Sequence, residues 1–224
     1  MSNNNAKITV AMITMNEEQA VAVVVRDIQR VVPGAKILIV DSSTDRTATI
    51  AEEMGVQVIR QIPPRGYGPA MDLALRSAGT EVVVTLDCDN TYPTEFILPL
   101  AEGILRDDYD LVDASRLEHK PQAMPWINYL ANWGFALIAS ALFLQRITDL
   151  HSGMRAYRRS ILDCMQYRAD GAALPVELLL RPLRQGMKVK SIFIPYRERI
   201  GVSTLRPLHS ALWTARRILS ARFC

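Results

Sequence analysis

An open α/β fold with a mostly parallel sheet is predicted by three features of the sequence. Short, largely apolar runs such as Lys36–Val40 and Glu81–Leu86 read as strands buried on both faces. Helical segments stand between these runs, so strands and helices alternate through the first half of the chain. Polar, acid-rich clusters follow the strands, and in open α/β sheets ligands bind beyond the carboxyl ends of the strands.

The elements follow in order. Lys7–Ile13 is a β-rich apolar stretch ending at Thr14, and Glu17–Val32 reads as a helix stopped by Pro33-Gly34. Lys36–Val40 is the second strand. Ser42-Ser43-Thr44-Asp45 offers N-caps for a helix over Ala48–Met54, which Gly55 ends. Val56–Arg60 is the third strand, Ile62–Gly68 a loop, and Pro69–Ala78 a helix. Glu81–Leu86 is the fourth strand, Thr94–Arg106 a helix, and Asp110–Ala114 the fifth strand.

The second half loses this rhythm. Residues 116–126 read as a polar loop, Pro125–Gln145 as an apolar helix, and Thr148–Tyr157 as irregular chain. Arg158–Tyr167 and Pro175–Gln185 are further helices, Lys188–Pro195 a last strand, and Pro207–Cys224 a terminal helix. No repeat or linker divides the chain, so one domain over 1–224 is expected. Its parts are 1–115, 116–205 and a basic amphipathic helix at 206–224.

Composition excludes several classes. The 224 residues include three cysteines, too few and too scattered for a disulfide framework or a four-cysteine zinc site. The three histidines, His119, His151 and His209, are not at metal-ligand spacing. A net charge of +3 implies no nucleic-acid partner. The charge is unevenly spread: residues 155–224 carry a balance of +10 and residues 1–154 one of −7. The basic third suits phosphates or an anionic membrane surface.

No secretory signal is expected from the opening MSNNNAKITV, and the run Trp133–Leu144 is too short to span a bilayer. Met124–Leu144 reaches 21 residues but admits Pro125, Asn128 and Asn132, so a core or interfacial helix is expected there. Trp133 reads as a packing residue, and Trp126 suits core and interface equally. The terminal helix mixes Leu212, Trp213, Ile218, Leu219 and Phe223 with Arg216, Arg217 and Arg222. That pattern suits either the surface of an anionic membrane or packing on the domain.

Three polar clusters fall at strand ends: Thr14–Glu18, Asp41–Asp45 and Asp87–Thr91. Asp87 and Asp89 are the most informative. In extended chain, residues i and i+2 point the same way, and two such carboxylates repel unless a cation lies between them. Hard oxygen ligands suit Mg²⁺ or Mn²⁺. Cys88, between them, reads as core filler.

Two families place Asp-x-Asp at a strand end. Val-Val-Val-Thr-Leu-Asp87-Cys-Asp89 is similar to the start of haloacid-dehalogenase-like phosphatases, where the first Asp is the nucleophile. That motif normally opens its domain, whereas four α/β units precede it here. The wider pattern resembles family 2 glycosyltransferases of the GT-A fold, specifically polyprenyl-phosphate sugar synthases. It comprises Val10–Glu18, Ile-Val-Asp41-Ser-Ser-Thr-Asp45-Arg-Thr47, Arg65-Gly-Tyr-Gly68-Pro-Ala70 and Leu86-Asp87-Cys-Asp89-Asn-Thr-Tyr-Pro93. It continues through Ser115-Arg116, Asp149-Leu-His-Ser152-Gly153-Met-Arg155-Ala-Tyr157 and Ile194-Pro195-Tyr196 to Arg199, Gly201, Ser203 and Leu205. The departures are Ser42 for a second acidic residue, Thr91 for a frequent Gln and Thr204 for a Lys.

The resemblance implies inverting transfer of a hexose from a nucleotide-diphosphate sugar, of GDP-mannose or UDP-glucose type, to a polyprenyl phosphate. Asp87 and Asp89 would hold Mg²⁺ or Mn²⁺ against the leaving diphosphate. Thr14, Asn16, Glu17, Asp41, Arg65, the Asp87-Cys88-Asp89 turn and Arg199 would line the donor site. Arg116 and Arg155 would grip the acceptor phosphate, as planar guanidinium forks do. Asp149 would be the base for a neutral hydroxyl acceptor, or else a cap or an ion pair orienting Arg155. The enzyme would sit peripherally on the inner, cytoplasmic face of the membrane. The phosphatase, a transferase for a soluble acceptor and a catalytically silent nucleotide-sugar binder stand as alternatives.

Overall fold

The computed structural model describes residues 2–201 and 207–223. Ser203–Leu205 of the last motif lie outside the described residues. After a short helix α1 (Ser2–Asn5), the first half runs β1 (Ile8–Thr14), α2 (Val21–Val31), β2 (Lys36–Asp41), α3 (Thr47–Glu53), β3 (Gln57–Arg60), α4 (Tyr67–Ser77), β4 (Val82–Thr85), α5 (Ile97–Leu105) and β5 (Leu111–Ser115). The second half runs α6 (Trp126–Phe143), β6 (Arg155–Arg158), α7 (Arg159–Cys164), α8 (Leu174–Arg184), β7 (Val189–Phe193) and α9 (Pro207–Phe223).

The seven strands form one sheet in the order β3-β2-β1-β4-β6-β5-β7. All neighbours are parallel except β6, which is antiparallel to both β4 and β5. Side-chain alternation sorts each strand between two cores. Ile8, Val10 and Met12 of β1 face α2, α3 and α5 on one side, and Ala11 faces α4 and α8 on the other. In β4, Val82 and Val84 take the first side and Val83 the second.

Three expectations are corrected. Thr148–Tyr157 is not wholly irregular, because Arg155–Tyr157 belong to β6. Helix α2 begins at Val21 rather than Glu17, because residues 16–18 make a turn whose N–H groups bond to the segment after β2. Trp133 is 53% exposed and does not pack in the core.

Helix α6 is mostly exposed. It is the one helix among the described residues long and apolar enough to cross a membrane, with 18 residues and a mean hydropathy of 1.2. Ala136 and Ala139 bury its inner face, while Trp126, Ile127, Leu130, Trp133, Leu137 and Ile138 stand outward. Helix α9 packs on α6 and α8. Ile218 and Ala221 enter the core, and Leu212, Leu219 and Phe223 remain exposed. Arg217 is not on that outer face. It is buried, forms an ion pair with Glu177 and donates to the Asp170 carbonyl at 2.8 Å.

Candidate active site

The parallel register of β1 and β2 sets Thr14 beside Asp41 at the carboxyl edge of the sheet. Asp41 is fully buried and fully engaged. It accepts from Thr14 Oγ1 at 2.5 Å, Ser43 Oγ at 2.6 Å and the Ser43 amide at 3.1 Å, and Arg60 pairs with it at 2.9 Å. Asn16 takes a left-handed conformation (φ 61°), from which Oδ1 accepts from the Thr44 amide at 2.9 Å. Asp45 accepts from the Thr47 amide and hydroxyl, a closed turn at the entry to α3. This mesh fixes the two loops after β1 and β2 to each other.

The Asp87–Thr91 loop follows β4. Thr91 donates its amide and hydroxyl to Asp89 Oδ1, at 3.0 and 2.6 Å, forming a closed turn. Arg199 spans to this loop from the far end of the chain, donating to Glu17 Oε1 at 2.7 Å and pairing with Asp89 Oδ2 at 2.9 Å. Main-chain bonds from Arg197 to Thr91 and from Ile200 to Asp89, both 2.9 Å, hold that segment in place. Cys88 points into the core, so only its backbone faces the donor side.

Asp87 has a different environment. No hydrogen bond reaches its carboxylate among the described residues, and burial together with the neighbouring Asp89 pushes its pKa up to about 7. Burial likewise raises Glu17, against the pull of Arg199. An under-partnered carboxylate beside a second one is a pair of hard oxygen donors whose repulsion a divalent cation would relieve. The residues present therefore fit Mg²⁺ or Mn²⁺. No cluster of three or more His, Cys, Asp or Glu ligands occurs among the described residues.

The reversed strand β6 completes the edge. Because it runs against β4 and β5, it begins where they end, and residues 149–154 arrive beside Asp87. Tyr92 Oη accepts from the Gly153 amide at 2.7 Å, and Thr85 Oγ1 donates to the Gly153 carbonyl at 2.9 Å. Arg116, directly after β5, donates to both oxygens of Asp149, from Nε at 2.7 Å and Nη2 at 3.0 Å. The same guanidinium lies over Tyr196 at 5.2 Å and Tyr92 at 6.0 Å. Burial alone would raise the Asp149 carboxyl, but Arg116 outweighs it and holds the group below the usual carboxylate value.

Two expected roles change. Arg155 is not placed to grip a phosphate. It is 1% exposed, pairs with Asp113 at 2.6 Å, and donates to the carbonyls of Leu150 and Pro175. Nor does Asp149 orient Arg155, since its partner is Arg116. Arg65 is exposed just before α4 and has no ion pair among the described residues. Tyr92 and Tyr196, which lie within the motifs but had no role read from them, join the site, and so does Arg60, which no motif includes.

Comparison with known proteins agrees with this geometry. The model of the family "Glycosyl transferase family 2" matches residues 9–166. The dolichyl-phosphate hexose transferase of Haloferax volcanii is 42% identical over 201 residues, covering 89% of this chain and 87% of that protein. The chain belongs to glycosyl transferase family 2. Another relative, the undecaprenyl-phosphate mannosyltransferase of Micrococcus luteus, is 26% identical over 200 residues, covering 83% of this chain and 82% of its own length. Among solved structures, glucosyl-3-phosphoglycerate synthase of Mycobacterium tuberculosis with Mn²⁺, UDP-glucose and phosphoglyceric acid superimposes with a TM-score of 0.75. That match is 22% identical and covers 96% of this chain and 79% of that one, and it shows a shared GT-A fold. As a family 2 glycosyltransferase the protein is an enzyme of group transfer, and the phosphatase reading of Asp87 is set aside.

Proposed function

We propose that this glycosyltransferase moves a hexose from a nucleotide-diphosphate sugar to a polyprenyl phosphate, inverting the anomeric carbon. The observation that carries the acceptor assignment is the Arg116–Asp149 pair. A neutral hydroxyl acceptor needs a base, and a carboxylate held down by a bidentate guanidinium is a poor one. A phosphate oxygen is already anionic at neutral pH and needs none. The names of the Haloferax and Micrococcus relatives support the same class.

Asp41 is enclosed, with both oxygens taken by Thr14, Ser43 and Arg60, so it would act by fixing the loops after β1 and β2 rather than by touching the nucleoside. In this mechanism the exposed Asn16 on those loops would face the nucleoside, and Arg65 would reach the diphosphate from the start of α4. Asp87 and Asp89 would hold Mg²⁺ or Mn²⁺, which when bound would offset charge on the leaving diphosphate. Arg199 would keep Asp89 and Glu17 in register. The Arg116 guanidinium, with Nε and Nη2 spent on Asp149, would turn its remaining edge to the acceptor phosphate. The phosphate oxygen forms a bond to the anomeric carbon as the bond to the diphosphate breaks, and the electron pair leaves with the diphosphate. Positioning and charge compensation supply the acceleration.

The exposed apolar faces of α6 and α9, with Arg216 and Arg222 at the rim, support peripheral docking on an anionic membrane; the cytoplasmic side is part of the proposal. The test is incubation with Mn²⁺, GDP- and UDP-sugars and a polyprenyl phosphate. The expected result is a lipid-linked sugar. Transfer only to water-soluble acceptors would reject the lipid assignment, and tight nucleotide binding with no turnover on any acceptor would reject catalysis.

A further inference from the structure

A groove of about 750 Å³ opens between α6 and the segment that follows it. Its position is set by the chain. Leu144 takes a left-handed conformation (φ 55°) and turns residues 145–148 back along the helix. Ser140 Oγ then accepts from the Ile147 amide at 2.9 Å and fastens that return. The inner end abuts the catalytic pair, because Leu117 follows Arg116 and Thr148 precedes Asp149, and both line the groove.

Leu117, Phe193, Trp133 and Leu137 give the groove apolar surface, with Glu118, Gln145, Arg146 and Thr148 among them. Trp133 and Leu137 are also 53% and 56% exposed and belong to the outward face of α6. The groove therefore joins that face to the residue that follows Arg116. Two of its polar groups lack partners among the described residues. Thr148 Oγ1 is buried with no hydrogen-bond partner, and Arg146, exposed at the rim, has no ion pair or hydrogen bond among the described residues. Glu118 shares the rim, and Arg116 behind the inner end is paired with Asp149, so these four charges balance and what the groove offers an anion is the unpaired guanidinium of Arg146.

We propose that this groove seats the isoprene units nearest the acceptor phosphate and that Arg146 contacts the phosphate at its edge. The proposal rests on the polyprenyl-phosphate reading above and adds where the lipid lies. An apolar chain sliding from a bilayer at α6 into this groove exposes fewer of its methylene groups to water than one drawn into solution. The pairing of such apolar surface with a spare guanidinium matches an amphiphile with an anionic head. Arg146 also takes the place that Arg155, locked in the interior, does not fill.

The test uses the full-length enzyme and a two-isoprene phosphate in buffer without vesicles, so that membrane docking does not enter. Arg146→Ala and Phe193→Ala are expected to raise KM for this acceptor at least tenfold. The KM for the nucleotide sugar should stay within twofold, and Arg146→Lys should recover part of the loss. Arg146 is exposed, so its replacement leaves the core intact, and thermal melting of each variant checks this. Unchanged acceptor KM in both variants, with an active parent enzyme, overturns the groove assignment alone. A parent enzyme that uses a soluble acceptor and no prenyl phosphate overturns the underlying reading and the groove with it.

Discussion

The backbone of Gly153 lies directly against the carboxylate of Asp87. A Cβ at residue 153 would stand 2.9 Å from Oδ2 and 3.0 Å from Oδ1. The contact forces either the start of β6 or the Asp87 carboxylate to move in any larger variant. Gly153→Ala is expected to lower kcat by about a hundredfold, the scale of a 1 Å misplacement at a reacting centre. Steady-state kinetics beside a circular dichroism melt separate this from unfolding.

Asp89→Asn keeps the shape of the Thr91 turn and removes one charge from the cation pair. Activity should fall by orders of magnitude, and nucleotide affinity should lose its dependence on Mn²⁺. Calorimetric titration of a nucleoside diphosphate with and without Mn²⁺ reads this directly. Full turnover of the variant in chelator would remove the cation from the mechanism.

His151 sets an acid limit on stability. Its Nε2 pairs with Thr214 Oγ1 at 2.8 Å, its ring meets Phe135 edge-on, and burial lowers its pKa to about 4. The unfolded chain takes up that proton near pH 6.5, so below this the unfolded state binds more protons than the folded one. Stability present above pH 6.5 is then lost as pH falls toward 4, by about 3 kcal/mol at most for this group. Urea midpoints at pH 7 and pH 4.5 should differ less for His151→Gln than for the parent.

Docking at a membrane is best tested on the outer face of α9. Removing the helix would leave Glu177 buried without Arg217 and would uncover Ile218, so truncation would report unfolding instead. Leu212→Glu, Leu219→Glu and Phe223→Glu change only exposed positions. Together they should weaken cosedimentation with anionic vesicles at low salt, while parent binding falls as salt rises. Each basic group near such a surface contributes about 1 kcal/mol.

Arg155 is expected to act on stability. Burial pushes the Asp113 carboxyl up to about 6 even with Arg155 beside it, which marks an enclosed site. Arg155→Met leaves that carboxyl unpaired and should cost about 3–5 kcal/mol of folding stability. In chemical denaturation the double variant with Asp113→Leu should recover most of the loss. A raised acceptor KM with unchanged stability would restore Arg155 to the phosphate.

The edge of the sheet was legible in the sequence because apolar runs ending in Asp41 and Asp87 deliver carboxylates to one place. β6 was not. Arg-Ala-Tyr-Arg has two charges in four residues, follows a glycine segment, and becomes a strand only by pairing with β4 and β5. The roles of the arginines were half legible for a related reason. A guanidinium that binds substrate and one that neutralises a buried carboxylate use the same fork, and the partners that decide between them, Asp113 and Asp149, lie 42 and 33 residues away. Arg199 could be assigned to the donor by motif, but its bond to Glu17, 182 residues away, and its pairing with Asp89 needed the fold.

The insertion of β6 between β4 and β5 also governs how the chain can be made. A nascent chain holding only residues 1–115 has both flanking strands but not the one that joins them, so its sheet remains split. Closure waits until residue 158 has left the ribosome, and contacts this distant in sequence form late. The loops after β1, β2 and β4, which we assign to the donor, are thus synthesised early but framed only after residues 149–158 exist, and a gene cut after residue 115 should yield a sticky, protease-sensitive fragment rather than a nucleotide-binding module.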